Sequence, residues 1–100
     1  MGLTITFSMR DAGAVRELAL TLHGGLDTNT ARTLQQRLAN LPESDVVRVD
    51  LTNLDFIDSG GLRVLILAKR EFGDGLRLVG AQPPVQHVFE RAGKAELLEH

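Results

Sequence analysis

Val46-Val47-Arg48-Val49-Asp50-Leu51-Thr52-Asn53-Leu54-Asp55-Phe56-Ile57-Asp58-Ser59-Gly60-Gly61-Leu62-Arg63-Val64-Leu65 passes from a β-rich run, through a polar turn, into an apolar helix-like run. Only Arg48 and Asp50 interrupt the apolar residues of Val46 to Leu51, the density of an interior strand rather than an edge. Between turn and helix stands one hydroxyl, Ser59, with an acid before it and two glycines after it. Either Asp58 or Ser59 can cap the coming helix, because a side-chain oxygen there accepts a free N–H of the first turn. A phosphate carried on Ser59 would meet the positive end of that helix. From Gly61 to Phe72 the helix is apolar nearly all round, through Leu62, Val64, Leu65, Ile66, Leu67 and Ala68. Such a helix is either deeply buried or leaves an apolar strip for a partner.

Towards the N-terminus, Leu3 to Met9 alternates apolar and polar residues, and Val15 to Leu22 does so again through Leu18, Leu20 and Leu22. The short link Asp11-Ala12-Gly13 makes the two an antiparallel hairpin. Gly24-Gly25 is read as the end of the second strand. Asp27 or Thr28 then opens a helix with Ala31, Leu34, Leu38 and Leu41 along one face, and Pro42 ends it. Beyond the central stretch, Gly73-Asp74-Gly75 is a stop, Leu76 to Val79 a short strand, and Pro83 or Pro84 the start of a third helix. Val85, Val88, Phe89 and Ala92 form its inner face, and Gly93 terminates it.

The order is β-β-α-β-α-β-α: an α/β domain with a mixed, mostly parallel four-stranded sheet, an antiparallel N-terminal edge strand and three or four helices. Strands separated by helices become parallel neighbours joined by right-handed crossovers. In such sheets, functional loops gather at the carboxyl ends of the parallel strands. The loops Gly24 to Thr28 and Asn53 to Gly60 both arrive there, which brings Asp27 and Ser59 to one rim.

One hundred residues suit a single core, and 43% hydrophobic with 24% charged residues is an ordinary globular balance. A net charge of −2 gives no sign of a nucleic-acid partner. The absence of cysteine excludes disulfides and thiolate chemistry and fits a reducing, cytoplasmic setting. No apolar run approaches the ~18 residues of a membrane span, so no membrane insertion is expected. Leu98-Glu99-His100 resembles the start of a vector-derived polyhistidine tail, which sets the domain at residues 1–97.

The chemistry-bearing residues point away from catalysis. Asp50, Asp55 and Asp58 are close in sequence, and clustered acids can bind Mg²⁺, but Asp50 falls in a strand, Asp55 in a turn, and Asp58 supports the turn or caps the helix. No metal site and no cofactor is expected. Ser59 as a hydrolytic nucleophile lacks a base, since His23 and His87 adjoin no motif, and Ser59-Gly60-Gly61 is not the Gly-x-Ser-x-Gly elbow of hydrolases. Neither glycine pair is followed by the Gly-Lys-Ser/Thr of a phosphate-binding loop. A non-enzymatic role follows.

Asp50-Leu51 through Asp58-Ser59-Gly60-Gly61-Leu62 resembles the signature of the STAS family, the sulfate-transporter and anti-sigma-factor-antagonist domain. Leu22-His23-Gly24-Gly25-Leu26-Asp27 followed by Thr30-Ala31 resembles the family's approach to its first helix, and Leu78-Val79-Gly80 with Pro84 to Phe89 resembles its last unit. The likeness is strongest to stand-alone anti-sigma factor antagonists. It implies that the unphosphorylated protein binds an anti-sigma factor serine kinase and frees a sigma factor. Phosphorylation of Ser59 would end the complex, and a serine phosphatase would restore it. Asp27, Thr28, Asp58, Ser59, Gly60, Gly61, Leu62 and Arg63 become the partner-binding residues by the same resemblance. Glycine at position 60, where family members often carry serine or alanine, removes a second adjacent hydroxyl and is expected to loosen the loop. The alternative that the resemblance allows is a STAS subunit of a lipid-transport ATPase complex, acting in assembly.

Overall fold

The structure, a computed structural model, describes residues 2–99. His100, part of the suggested tail, lies outside them. The N-terminal alternation folds into the hairpin of β1 (Leu3–Ala12) and β2 (Val15–Leu26), in register from Leu3↔Gly24 to Ala12↔Val15. Its turn is Gly13-Ala14, where Gly13 takes φ +67°. Leu18, Leu20 and Leu22 of β2 are buried, while Glu17, Ala19 and Thr21 between them are half-buried on the other face. Gly24-Gly25 does not end β2: the strand runs through them and continues to Leu26.

Helix α1 (Thr28–Ala39) buries Ala31, Leu34 and Leu38, as the three- and four-residue spacing requires. The apolar run forms β3 (Val46–Asp50), parallel to β2 and to β5 (Leu76–Val79), the interior position its composition implies. A fifth strand, β4 (Leu54–Ile57), occupies part of the segment read as loop and turn, and takes in Asp55. It pairs in parallel with the far end of β2, from Gly24↔Leu54 to Leu26↔Ile57, in line beyond β3. Helix α2 spans Ser59–Phe72, starting two residues earlier than expected, and α3 spans Pro83–Arg91 with proline in its first turn. Short 3₁₀ turns cover Gly73–Gly75 and Ala95–Leu97.

The sheet order is β1-β2-β3-β5, with antiparallel pairing only at the β1 edge. Both crossovers, β2–α1–β3 and β4–α2–β5, step across the sheet in one sense, so α1 and α2 share a face and pack against each other. Beneath them a single core runs through Leu20, Val49, Leu65, Leu78 and Phe89. The opposite sheet face is polar, with Thr4 beside His23, Thr6 beside Thr21 and Arg10 beside Glu17. The packed unit extends past Leu97. Leu98 is only 5% exposed and bridges Leu78, and the Glu99 N–H donates to the Leu78 carbonyl at 2.8 Å.

Candidate functional site

Two helix N-termini meet at the carboxyl end of β2 and β4, and one carboxylate joins them. Asp58, in extended backbone geometry, is the N-cap of α2, and its Oδ1 accepts from the Gly61 N–H at 3.0 Å. Its Oδ2 accepts from the backbone N–H of Thr28, the first residue of α1, at 3.0 Å, and from the Thr28 hydroxyl at 3.3 Å. Of the two capping candidates the structure selects Asp58. Ser59 is instead the first residue of α2: it is exposed, and its hydroxyl makes no hydrogen bond among the described residues.

Asp27 does for α1 what Asp58 does for α2. Its Oδ1 accepts from the Thr30 N–H at 2.8 Å, and the Asp27 N–H donates to the Thr30 hydroxyl oxygen at 2.9 Å, a reciprocal capping box. The Thr30 hydroxyl in turn donates to the Gly25 carbonyl at 2.9 Å, tying the cap to the point where the register between β2 and β4 shifts. Both acids are held below the ordinary aspartate range. The principal cause is the Thr30 N–H at Asp27, and at Asp58 it is the Gly61 N–H with further help from Thr28. Both groups are therefore carboxylates at neutral pH.

The glycines after Ser59 are explained by proximity. A Cβ on Gly60 would lie 2.6 Å from Thr28 Oγ1 and 2.9 Å from Thr28 Cα. A Cβ on Gly61 would strike the Leu26 carbonyl oxygen and come within 2.7 Å of Leu26 Cγ. Gly60 is thus not a loosened loop residue: it sits in the first turn of α2, pressed against α1. These contacts let the two helix ends approach closely enough for Asp58 to bridge them.

The predicted site residues separate by exposure. Thr28, Ser59 and Arg63 are exposed, Asp27, Asp58 and Gly60 are half-buried, and Gly61 and Leu62 are buried. Leu62, 7% exposed, belongs to the core and anchors α2 rather than presenting itself to a partner. Arg63 stands one helical turn beyond Ser59 and borders a groove of about 400 Å³ between α1 and α2. Gln35, Val64, Leu67 and Phe72 line the groove, and Leu67 is 41% exposed. Sequence reading named Val64 and Leu67 as part of a helix apolar nearly all round, either buried or leaving a strip for a partner, but did not place them with Gln35 in a groove against α1. Their signal was the nearly continuous apolar surface of α2, which the core only partly consumes. Together α1 and α2 carry Arg32, Arg37, Arg63, Lys69 and Arg70 against the single acid Glu71, a basic layer on a chain of net charge −2.

The three sequence-adjacent acids do not converge. Asp50 Oδ1 accepts from the Thr52 N–H at 2.9 Å, Asp55 is exposed on β4, and Asp58 is engaged at the helix ends. Partial burial works to raise the Asp50 carboxyl, but its hydrogen bonds from Thr52 outweigh that and lower it. Among the described residues no group of three His, Cys, Asp or Glu side chains is arranged to hold a metal ion, and no helix is long and apolar enough to cross a membrane.

The sequence profile described as "Mlab, STAS domain" matches residues 9–99. An anti-sigma factor antagonist from Mycobacterium paratuberculosis is similar in structure, with TM-score 0.76 and 21% identity over 95% of this chain and 83% of that one. The phosphorylated form of the Bacillus cell fate determinant SpoIIAA has TM-score 0.66 and 17% identity over 94% of this chain and 89% of its own. A sulfate transporter family protein from Wolinella succinogenes has TM-score 0.68 and 21% identity over 81% and 70% respectively. At these identities the likeness is one of fold.

Proposed function

The chain belongs to the Mlab STAS-domain family, a family of non-catalytic regulatory domains, and within it we propose that this protein is an anti-sigma factor antagonist switched by phosphorylation of Ser59. The observation that carries the reading is the Ser59 hydroxyl, exposed at the first position of α2 and unbonded, beside an aspartate already committed to the cap. Unphosphorylated, the surface of Asp27, Thr28, Ser59 and Arg63 binds an anti-sigma factor serine kinase, and the sigma factor is released. The kinase transfers a phosphoryl group from a nucleoside triphosphate to Ser59 Oγ, with loss of the hydroxyl proton, and a serine phosphatase hydrolyses the ester. The site of action is cytoplasmic.

The physics favours ejection of the partner without unfolding of the domain. The phosphate adds about −1.5 to −2 charge at neutral pH. It enters at the positive end of α2, a location worth about 0.3–1 kcal/mol in favour of an anion. The same charge lies beside the Asp58 carboxylate, so a partner surface packed there meets two negative groups that it must desolvate.

A second reading, an assembly module of a membrane-transport complex such as a lipid-transport ATPase, is favoured by the similarity to the Wolinella succinogenes sulfate transporter family protein. There Ser59 would have no acceptor role. Pull-down from source lysate with wild-type and Ser59→Asp baits separates the two. Capture of a serine-kinase anti-sigma factor by wild type only supports the switch. Equal capture of a transporter ATPase by both baits supports assembly and overturns the switch.

A further inference from the structure

Strand β1 is the free edge of the sheet, and its free side can be specified residue by residue. The Gly25 N–H donates to the Gly2 carbonyl at 3.0 Å, in phase with the β1–β2 register. Bonded and non-bonded pairs alternate along an antiparallel ladder. The even-numbered residues of β1 therefore exchange hydrogen bonds with β2, whereas Leu3, Ile5, Phe7, Met9 and Asp11 turn their N–H and C=O groups outward. The same odd-numbered residues direct their side chains to the helix-bearing face, since Phe7 pairs with Leu20 and Met9 with Leu18. Leu20 and Leu18 are 0% and 1% exposed, yet Phe7 is 53% and Met9 41% exposed, because α1 and α2 do not reach the edge. Free backbone groups and uncovered apolar side chains thus lie along one line. The strand is ten residues long with no proline, no lysine and no bulge against β2, and its two charges, Arg10 and Asp11, stand together at the turn end, which leaves Leu3 to Met9 unblunted.

We propose that β1 is the seam of a homodimer, formed by antiparallel pairing with β1 of a second copy about a two-fold axis at Phe7. The occupant follows from self-complementarity. With Phe7 opposite its own copy, Ile5 faces Met9, Leu3 faces Asp11, and every bonded pair is made of odd-numbered residues with free groups. The helix-bearing face of the seam becomes the apolar ladder Ile5, Phe7, Met9, and the other face pairs Thr6 with Ser8 and Thr4 with Arg10. No like charges stand opposite each other. Shifting the register two residues towards the C-terminus moves Asp11, which in the proposed register faces Leu3 at the ends of the seam, inward against Ile5 and shortens the apolar ladder to Phe7 and Met9. Because the strands run in opposite directions, the two Ser59 surfaces point to opposite ends of the joined sheet, so the dimer would offer two separated sites.

The experiment uses the full chain in sedimentation velocity up to about 1 mM protein. The 10.9 kDa mass is expected to double with rising concentration. Phe7→Lys, which sets two ammonium groups together on the axis, is expected to stay monomeric with an unchanged circular dichroism spectrum. The chain has no cysteine, so single thiols report the register independently. Phe7→Cys places two Cα atoms about 5.5 Å apart, within disulfide reach, and is expected to cross-link on mild oxidation. Met9→Cys sets its thiols on backbones offset by about 14 Å along the seam and is expected not to. A wild-type chain that remains monomeric at the highest concentration, Phe7→Lys dimerising like wild type, or Met9→Cys cross-linking as fast as Phe7→Cys would each overturn the proposal.

Discussion

Replacing Asp58 and Ser59 in turn tests the construction of the site more sharply than any other pair. Asp58→Ala removes the α2 N-cap, a change that ordinarily costs about 0.5–2 kcal/mol. It also strips the Thr28 N–H and hydroxyl of their acceptor, a further loss of about 0.5–1.5 kcal/mol for hydrogen bonds that water can partly replace. The expected total is about 2 kcal/mol, which in a chain of this length lowers Tm by roughly 8–16 °C. Asp58→Asn keeps one side-chain oxygen and can serve one helix end but not both, so about half of that loss is expected. Ser59→Ala removes an exposed, unbonded hydroxyl and should change stability by less than about 0.5 kcal/mol. Urea unfolding followed by circular dichroism gives all three values on one scale. Equal losses for Ser59→Ala and Asp58→Ala would refute the assignment of the cap to Asp58, and with it the claim that Ser59 is free for modification.

Stability should also depend on acid pH in a defined sense. The Asp27 and Asp58 carboxyls are both lowered on folding, so the stability they provide is complete above the ordinary aspartate value of about 3.9 and is lost as pH falls through their lower folded values. Urea midpoints measured from about pH 5 to about pH 3 should fall less steeply in an Asp27→Asn, Asp58→Asn double variant than in wild type; an unchanged slope would assign the acid sensitivity elsewhere. Gly61→Ala should cost about 1–3 kcal/mol, because its methyl meets the Leu26 backbone. Gly60→Ala should also destabilise, because its methyl meets the Thr28 Cα at 2.9 Å as well as the hydroxyl, but by less, since its overlap with backbone is milder than that of Gly61 with the Leu26 carbonyl and alanine gains about 1 kcal/mol of helix preference. Equal thermal shifts for the two would contradict this account. Leu98→Ala should cost about 2–5 kcal/mol as a core deletion, and a melting curve identical to wild type would show that the chain end does not belong to the core.

The alternation of β2, the apolar run of β3 and the spacing of Ala31, Leu34 and Leu38 were readable because each element commits one face to the core, and the alternation of β1 because its apolar side chains share that face even though Phe7 and Met9 stay exposed at the edge. β4 was not. Its four residues run buried, exposed, exposed, buried, because the pairing with β2 shifts at Gly24 and Gly25 and destroys the period of two on which strand reading depends. The same shift explains why a glycine pair that looked like a strand end is an internal irregularity. At the site, sequence placed Asp27, Thr28, Asp58 and Ser59 on one rim but left open which residue capped α2. Spacing cannot decide that, because both side chains reach the first turn. The link from Asp58 to Thr28 spans thirty positions and is a product of packing alone. Leu62 was assigned to the partner surface because it continues the motif, whereas its side chain follows the helical period inward.

The Asp58 clasp bears on what association costs. Loops that order themselves on docking surrender conformational freedom at the moment of binding, and that loss is subtracted from affinity. Here the residues flanking Ser59 have surrendered it already: the first turn of each helix is capped, the glycine contacts leave little room between them, and one carboxylate spans the gap. Under the proposed function, a partner docking at this rim would meet a surface fixed during folding. Its dwell time would then depend on the chemistry at the rim rather than on the ordering of the rim, and under the proposed switch one added phosphate would change occupancy without any change of shape.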